Sequence, residues 1–133
     1  MPVTPNSVIT PQAVKTAQAS CATAKSSYGN LTNAVLLLTA GANGAVLYGL
    51  TCVPTATVAA TQCQLFTSPD GTAAKFVRAA TMSAYTMAAS TSPTPTDFGF
   101  TESSPRRLRA NEQLWVGIGV TGAIDFDAQY EDL

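Results

Sequence analysis

The chain contains no histidine. That absence removes the commonest general base, the usual proton shuttle near neutral pH and the commonest metal ligand. Charge is scarce as well. Asp, Glu, Lys and Arg make up 11% of the 133 residues, and the net charge is −1, against roughly a quarter charged in an ordinary domain. Neutralising a phosphate backbone takes clustered Lys and Arg, so nucleic acid is not the expected partner. Weak self-repulsion also leaves the surface tolerant of close neighbours.

Long apolar runs are missing too. None approaches the length of a membrane span, and no membrane partner is expected. The first twenty residues, MPVTPNSVITPQAVKTAQAS, lack the basic start and continuous apolar stretch of a secretion signal. Without such a signal, the NLT sequon at Asn30 is read as a chance pattern. Cysteines number three, Cys21, Cys52 and Cys63, with no C-x-x-C spacing. That spacing argues against zinc, and a Cys nucleophile would lack its usual His. GANG at 41–44 has no following Lys-Ser/Thr, and S-x-x-K and G-x-S-x-G do not occur. The expectation is a chain with no catalytic residues, no cofactor and no metal: not an enzyme.

The residues present divide the chain in two. In residues 1–30, Pro2, Pro5 and Pro11 interrupt a Thr-, Ser- and Ala-rich run with few large apolar groups. This stretch reads as an extended N-terminal arm that orders only against something else, although 11–25 could form a short helix. Residues 31–133 read as a single β-sandwich domain. NAVLLLTAG is a short apolar run, hence a buried strand, and Asn43-Gly44 is a hairpin signal. In 45–53, Val46, Tyr48, Leu50 and Cys52 share one face, with Pro54 ending the strand or marking an edge. Residues 57–67 form a further strand, SPDG (68–71) a turn, and TAAKFVRAAT the return strand. MSAYTMAAS fits a helical turn or a strand, and 91–99 reads as a loop. PRRLRANEQLWVGIGV gives a short strand, a turn at 110–112 and a long strand whose core face is Leu114, Val116, Ile118 and Val120. Many short strands without a convincing helix predict an all-β, antiparallel sandwich or jelly-roll-like fold.

The closing stretch, IDFDAQYEDL, poses the sharpest question about chemistry. Ile124, Phe126, Ala128 and Tyr130 alternate with Asp125, Asp127, Gln129 and Glu131. A strand with one dry and one wet face explains the acids fully. The alternative is a calcium site on Asp125, Asp127 and Glu131, but the ligand-bearing loop and turn glycine of such sites are missing. Cys52 and Cys63 read as small buried hydrophobes that could also face each other across a hairpin. Cys21, in the arm, is the expected exposed thiol and the candidate for an intersubunit disulfide. RRLR (106–109) is the only basic cluster. Alternation places Arg107 and Arg109 opposite Leu108, as rim residues for Glu102, Asp97 or a neighbouring subunit. Trp115 points away from the core face of its strand, with Gly117 and Gly119 beside it. It is either a partner contact or core covered by a loop or arm.

PNSVITPQ, NAVLLLTAGANGAVLYGLTCVP, QLFTSPDGT and TDFGFTESSPRRLRANEQLWVGIGV together resemble the small structural proteins of tailed bacteriophage virions. The likeness spans most of the chain and brings no catalytic residue with it. It implies a β-rich subunit that decorates or cements a capsid, commonly as a trimer. The implied partners are a major capsid protein and copies of itself, and the implied location is the virion, assembled in the host cytoplasm. A neck or tail component is the nearest alternative. A carbohydrate- or surface-binding module built on Trp115, Tyr48 and the loop 90–100 is a different class, and a small hydrolase a third.

Overall fold

A computed structural model describes residues 14–133; the first thirteen residues, with the three prolines of the expected arm, lie outside the described residues. Nine strands follow in order: β1 (Val14–Cys21), β2 (Val35–Thr39), β3 (Ala45–Pro54), β4 (Thr61–Ser68), β5 (Lys75–Met82), β6 (Thr96–Asp97), β7 (Arg106–Leu108), β8 (Gln113–Ile118) and β9 (Ile124–Asp132). They form two antiparallel sheets. Sheet one has the order β1-β9-β3-β6, with β7 also on β3, and sheet two has the order β2-β8-β4-β5. The fold is an all-β sandwich, as the short alternating runs predict.

The core lies between the sheets and is built by alternation. Leu114, Val116 and Ile118 of β8, Cys63 and Leu65 of β4, and Ile124, Phe126 and Ala128 of β9 point inward and are buried. Val120 does not join them. Strand β8 stops at Ile118, and Val120 is exposed in the turn that follows. A bulge corrects the expected face of β3. Leu47 pairs with Tyr130 and Gly49 with Gln129, which leaves Tyr48 unpaired. The extra residue flips the alternation. Leu47 faces the core before the bulge and Leu50 and Cys52 after it, while Val46 and Tyr48 face out, half-buried.

The Asn43-Gly44 turn forms but does not make a hairpin. Strand β2 pairs with β8 in sheet two, and β3 pairs with β9 in sheet one, so the turn is an arch from one sheet to the other. The turn at 109–112 is a second arch, from β7 to β8. The two are fastened together: the Asn111 amide donates to Gly41 O (3.0 Å) and the Ala40 amide to Glu112 O (2.8 Å). Gly44, at φ +88°, runs so close to Leu108 O that a β-carbon would overlap it. By contrast, β4 and β5 do form a hairpin through the SPDG turn. Asp70 there accepts the amides of Thr72 (2.8 Å) and Ala73 (3.0 Å). These amide donors hold its carboxyl below the usual carboxylate range.

The largest correction concerns the arm. Residues 14–21 form strand β1, paired with β9 from Val14↔Glu131 to Cys21↔Ile124. Neither the expected helix over 11–25 nor an arm reaching residue 30 describes these residues. The pattern hid the strand because β1 is an edge strand with a mostly exposed burial profile, and an edge needs few large apolar groups. MSAYTMAAS is neither helix nor strand after Met82: Tyr85 makes an isolated bridge to Val58. The loop 91–99 contains β6 and the buried Phe98, whose ring lies 6.2 Å from that of Phe126.

A chain beginning at Asn30 loses β1, and with it one of the two partners of β9. It is expected to lose its cooperative thermal transition, whereas a chain beginning at Val14 keeps it. Circular dichroism melts of the two truncations check this, and a stable, β-rich chain from Asn30 contradicts it.

Candidate functional site

Both sandwich faces expose what the core does not use. On sheet one the wet face of β9 meets the edge strand. Ser20 Oγ donates to Asp125 (2.6 Å) and Gln18 Nε2 to Asp127 (3.4 Å). Glu131 pairs with Val46 and Val14 at the far end of the same strand. Among the described residues no group of three or more His, Cys, Asp or Glu side chains is placed to hold a metal ion. The two aspartates act as acceptors for their strand neighbours. Replacing both with asparagine is expected to shift stability by under about 0.5 kcal/mol. Thermal melts with and without calcium check this: a large drop in melting temperature, or a calcium-dependent rise in the native protein that the variant lacks, contradicts it.

The cysteines lie inside. Cys21, Cys52 and Cys63 are all buried and carry free thiols. Cys21 ends β1 against the core, with its sulfur 3.6 Å from Val116 O. Burial, with smaller contributions from Cys63 and Asp125, pushes this thiol up to about 12. The expectation of an exposed Cys21 ready to link subunits is therefore overturned: the thiol is out of reach of a neighbouring chain and almost wholly protonated at neutral pH. Cys52 and Cys63 belong to different sheets, so they face each other across the core and not within a hairpin. A thiol reagent at pH 8 is expected to leave the native protein unlabelled and to label all three cysteines after denaturation. Fast native labelling of Cys21 contradicts the placement.

Sheet two turns an aromatic row outward. Leu36 pairs with Trp115, Trp115 with Phe66 and Phe66 with Phe76, so four apolar side chains cross all four strands in register. Such cross-strand neighbours stack naturally on one sheet face. Leu36 is 42% exposed and Phe76 39%, and Trp115 is half-buried. The segment after β1 covers the middle of the row. Tyr28 stacks on Phe76 at 4.2 Å and is itself 46% exposed, and its hydroxyl donates to Gln62. Lys25 is buried with its ammonium 4.9 Å from the Phe66 ring, donating to Asn30 O (2.7 Å) and Thr32 O (2.9 Å). Burial lowers its affinity for the proton. Gly117 leaves the space in which the Lys25 stem lies, since a β-carbon there would overlap it. The glycine beside Trp115 therefore serves Lys25. Trp115 itself is pinned by an Nε1–H donation to Gln113 (2.9 Å).

Sequence reasoning found Trp115 but missed Tyr28, Leu36, Phe66 and Phe76. A signal was available: TQCQLFTS is apolar on both faces at Leu65 and Phe66, which marks a strand covered on both sides. The structure also separates Trp115 from Tyr48. One ring stands on the outer face of sheet two, the other on that of sheet one, so the single carbohydrate site expected from Trp115, Tyr48 and the loop 90–100 does not form.

The arginines gather at the arch end. Arg106, Arg107 and Arg109 line a cleft of about 560 Å³ with Lys75, Glu112 and residues of the β4–β5 turn. Leu108 is buried between the exposed Arg107 and Arg109, as alternation predicts. The expected pairing with Glu102 or Asp97 is absent. Among the described residues the one ion pair is Lys15–Asp132 at 2.6 Å.

No family model matches the chain, and no curated protein matches it. Among solved structures it is similar to a chain of the cyanophage Pam1 capsid asymmetric unit. The identity is 15% and the TM-score 0.41, over 100% of both chains. A likeness of that size carries no inference about function.

Proposed function

We propose that this chain is a structural subunit of a tailed-bacteriophage virion, a capsid decoration or cement subunit that acts through contact and not through chemistry. The observation that supports it is the row Leu36–Trp115–Phe66–Phe76 with Tyr28 stacked at its end. Phe66 is fully buried beneath Lys25, but the two ends of the row, Leu36 with Trp115 and Phe76 with Tyr28, stay partly exposed on a weakly charged chain. Such apolar patches are the kind of surface that a partner covers. The rings are held in place by Lys25 and by Trp115's bond to Gln113, so little ordering is left to offset on docking. The sandwich is a rigid block, its partners are a major capsid protein and further copies of itself as a homo-oligomer, and many modest contacts add through symmetry.

The test is reconstitution on particles that lack the protein. Native chain is expected to load in hundreds of copies. Trp115→Ala and Phe76→Ser are expected to lose at least tenfold in occupancy, because aromatic anchors dominate such contacts. Loading of a few copies points to a neck or tail position. Retained occupancy in both variants, or glycan binding that depends on Trp115, contradicts the proposal.

A further inference from the structure

Four of the chain's seven cations and one of its eight carboxylates line the cleft at the arch end. That is a net of +3 within a chain of net −1, so the rest of the molecule is acidic. Arg107 also borders a neighbouring depression with Glu102 and Glu131, but among the described residues neither carboxylate is within ion-pair distance of it. None of the four cations is in an ion pair within the described residues, and Arg106 Nε is buried without a hydrogen-bond partner there. A buried guanidinium nitrogen left unpaired is costly, so such groups normally have a partner.

The walls are preformed. Arg109 and Glu112 belong to a tight turn, closed by Glu112 N–H donating to Arg109 O (3.1 Å) and fastened to the neighbouring arch through Asn111 and Gly41. Asn111 sits at φ 60°, in the left-handed region that a tight turn uses. Lys75 follows the β4–β5 turn, which Asp70 locks through two backbone amides. Arg106 and Arg107 lie on β7 and Lys75 opens β5, so the backbone that carries the four charges is set by paired strands and closed turns before any ligand arrives.

We propose that this cleft binds a carboxylate-rich segment of a protein partner, with Arg106, Arg107 and Arg109 as forked donors and Lys75 as a point charge. The proposal deepens the reading of the chain as a virion subunit by naming the chemistry of a partner, but its test needs no particle. Guanidinium forks match carboxylates two bonds at a time. The cleft also carries the apolar walls of Pro69, Ala73 and Ala110, which suit the stems of Glu side chains. Nucleic acid fits less well. The charges line a single concavity and do not run on as a stripe, Glu112 lines it, and the acidic remainder of the chain repels a polyphosphate backbone.

The probe is a hexaglutamate peptide titrated into the full-length protein by calorimetry at low salt. Binding is expected to weaken at least tenfold between about 20 and 300 mM salt, since exposed charges are screened over that range. Lys75→Gln and Arg109→Gln, both at exposed positions, are each expected to cost at least fivefold. Arg109→Lys should recover part of the loss, and circular dichroism confirms that the variants fold. Lys15→Gln removes the same charge from β1 and should leave the affinity unchanged. Absence of binding at 20 mM salt overturns the proposal. So does an equal loss in Lys15→Gln, which reduces the effect to net charge. Tighter binding of inorganic phosphate or of a DNA duplex than of hexaglutamate also overturns it, in favour of a phosphate ligand.

Discussion

The structure hangs on β9, the strand that closes the chain. It is hydrogen-bonded on both edges, to β1 over eight registered pairs and to β3 over nine. Its dry face puts Ile124, Phe126 and Ala128 into the core. A strand so placed has no freedom of register, because a one-residue slip would turn Asp125 and Asp127 inward and Phe126 out. The acids that first suggest a metal or a catalytic pair are the wet half of that alternation. Its end is tied down as well: Asp132 takes the Lys15 ammonium at 2.6 Å and the Gly41 amide at 3.1 Å. These contacts hold its carboxyl below the usual carboxylate range.

Much of the fold was legible wherever apolar residues alternate. The core faces of β8 and β9, the β4–β5 hairpin and the all-β class follow from pleat and turn chemistry alone. What was not legible has particular causes. Strand β1 is an edge strand of Lys, Thr, Ala, Gln and Ser, which bury little and resemble a linker. The bulge at Tyr48 adds one residue and inverts a face that no local pattern marks. The Asn43-Gly44 turn signals a reversal of the chain, but it does not say whether the second strand pairs with the first or crosses to the opposite sheet.

The candidate contact surfaces divide the same way. Trp115, Arg107 and Arg109 stood out as unusual residue types, and each lies on a surface that the fold leaves open. The residues that complete these surfaces come from distant segments: Tyr28 and Lys25, over Phe76 and Phe66, from the connection after β1, and Lys75 from the start of β5. Only the topology of two sheets and two arches brings these together. Cys21 fails as a site for the reverse reason. Its position in a seemingly loose segment suggested exposure, while its pairing with Ile124 carries it into the core.

In the proposed role, a neighbouring subunit sits on the outer face of sheet two and not on the acidic face of sheet one. An electron cryomicroscopy map of the particle, with this sandwich fitted by its two sheets, tests that directly. The expected map shows density of another chain across Leu36, Trp115 and Phe76, with Asp125 and Asp127 toward solvent. A map with the sandwich reversed, the aspartates against the shell and Trp115 facing open solvent, contradicts it.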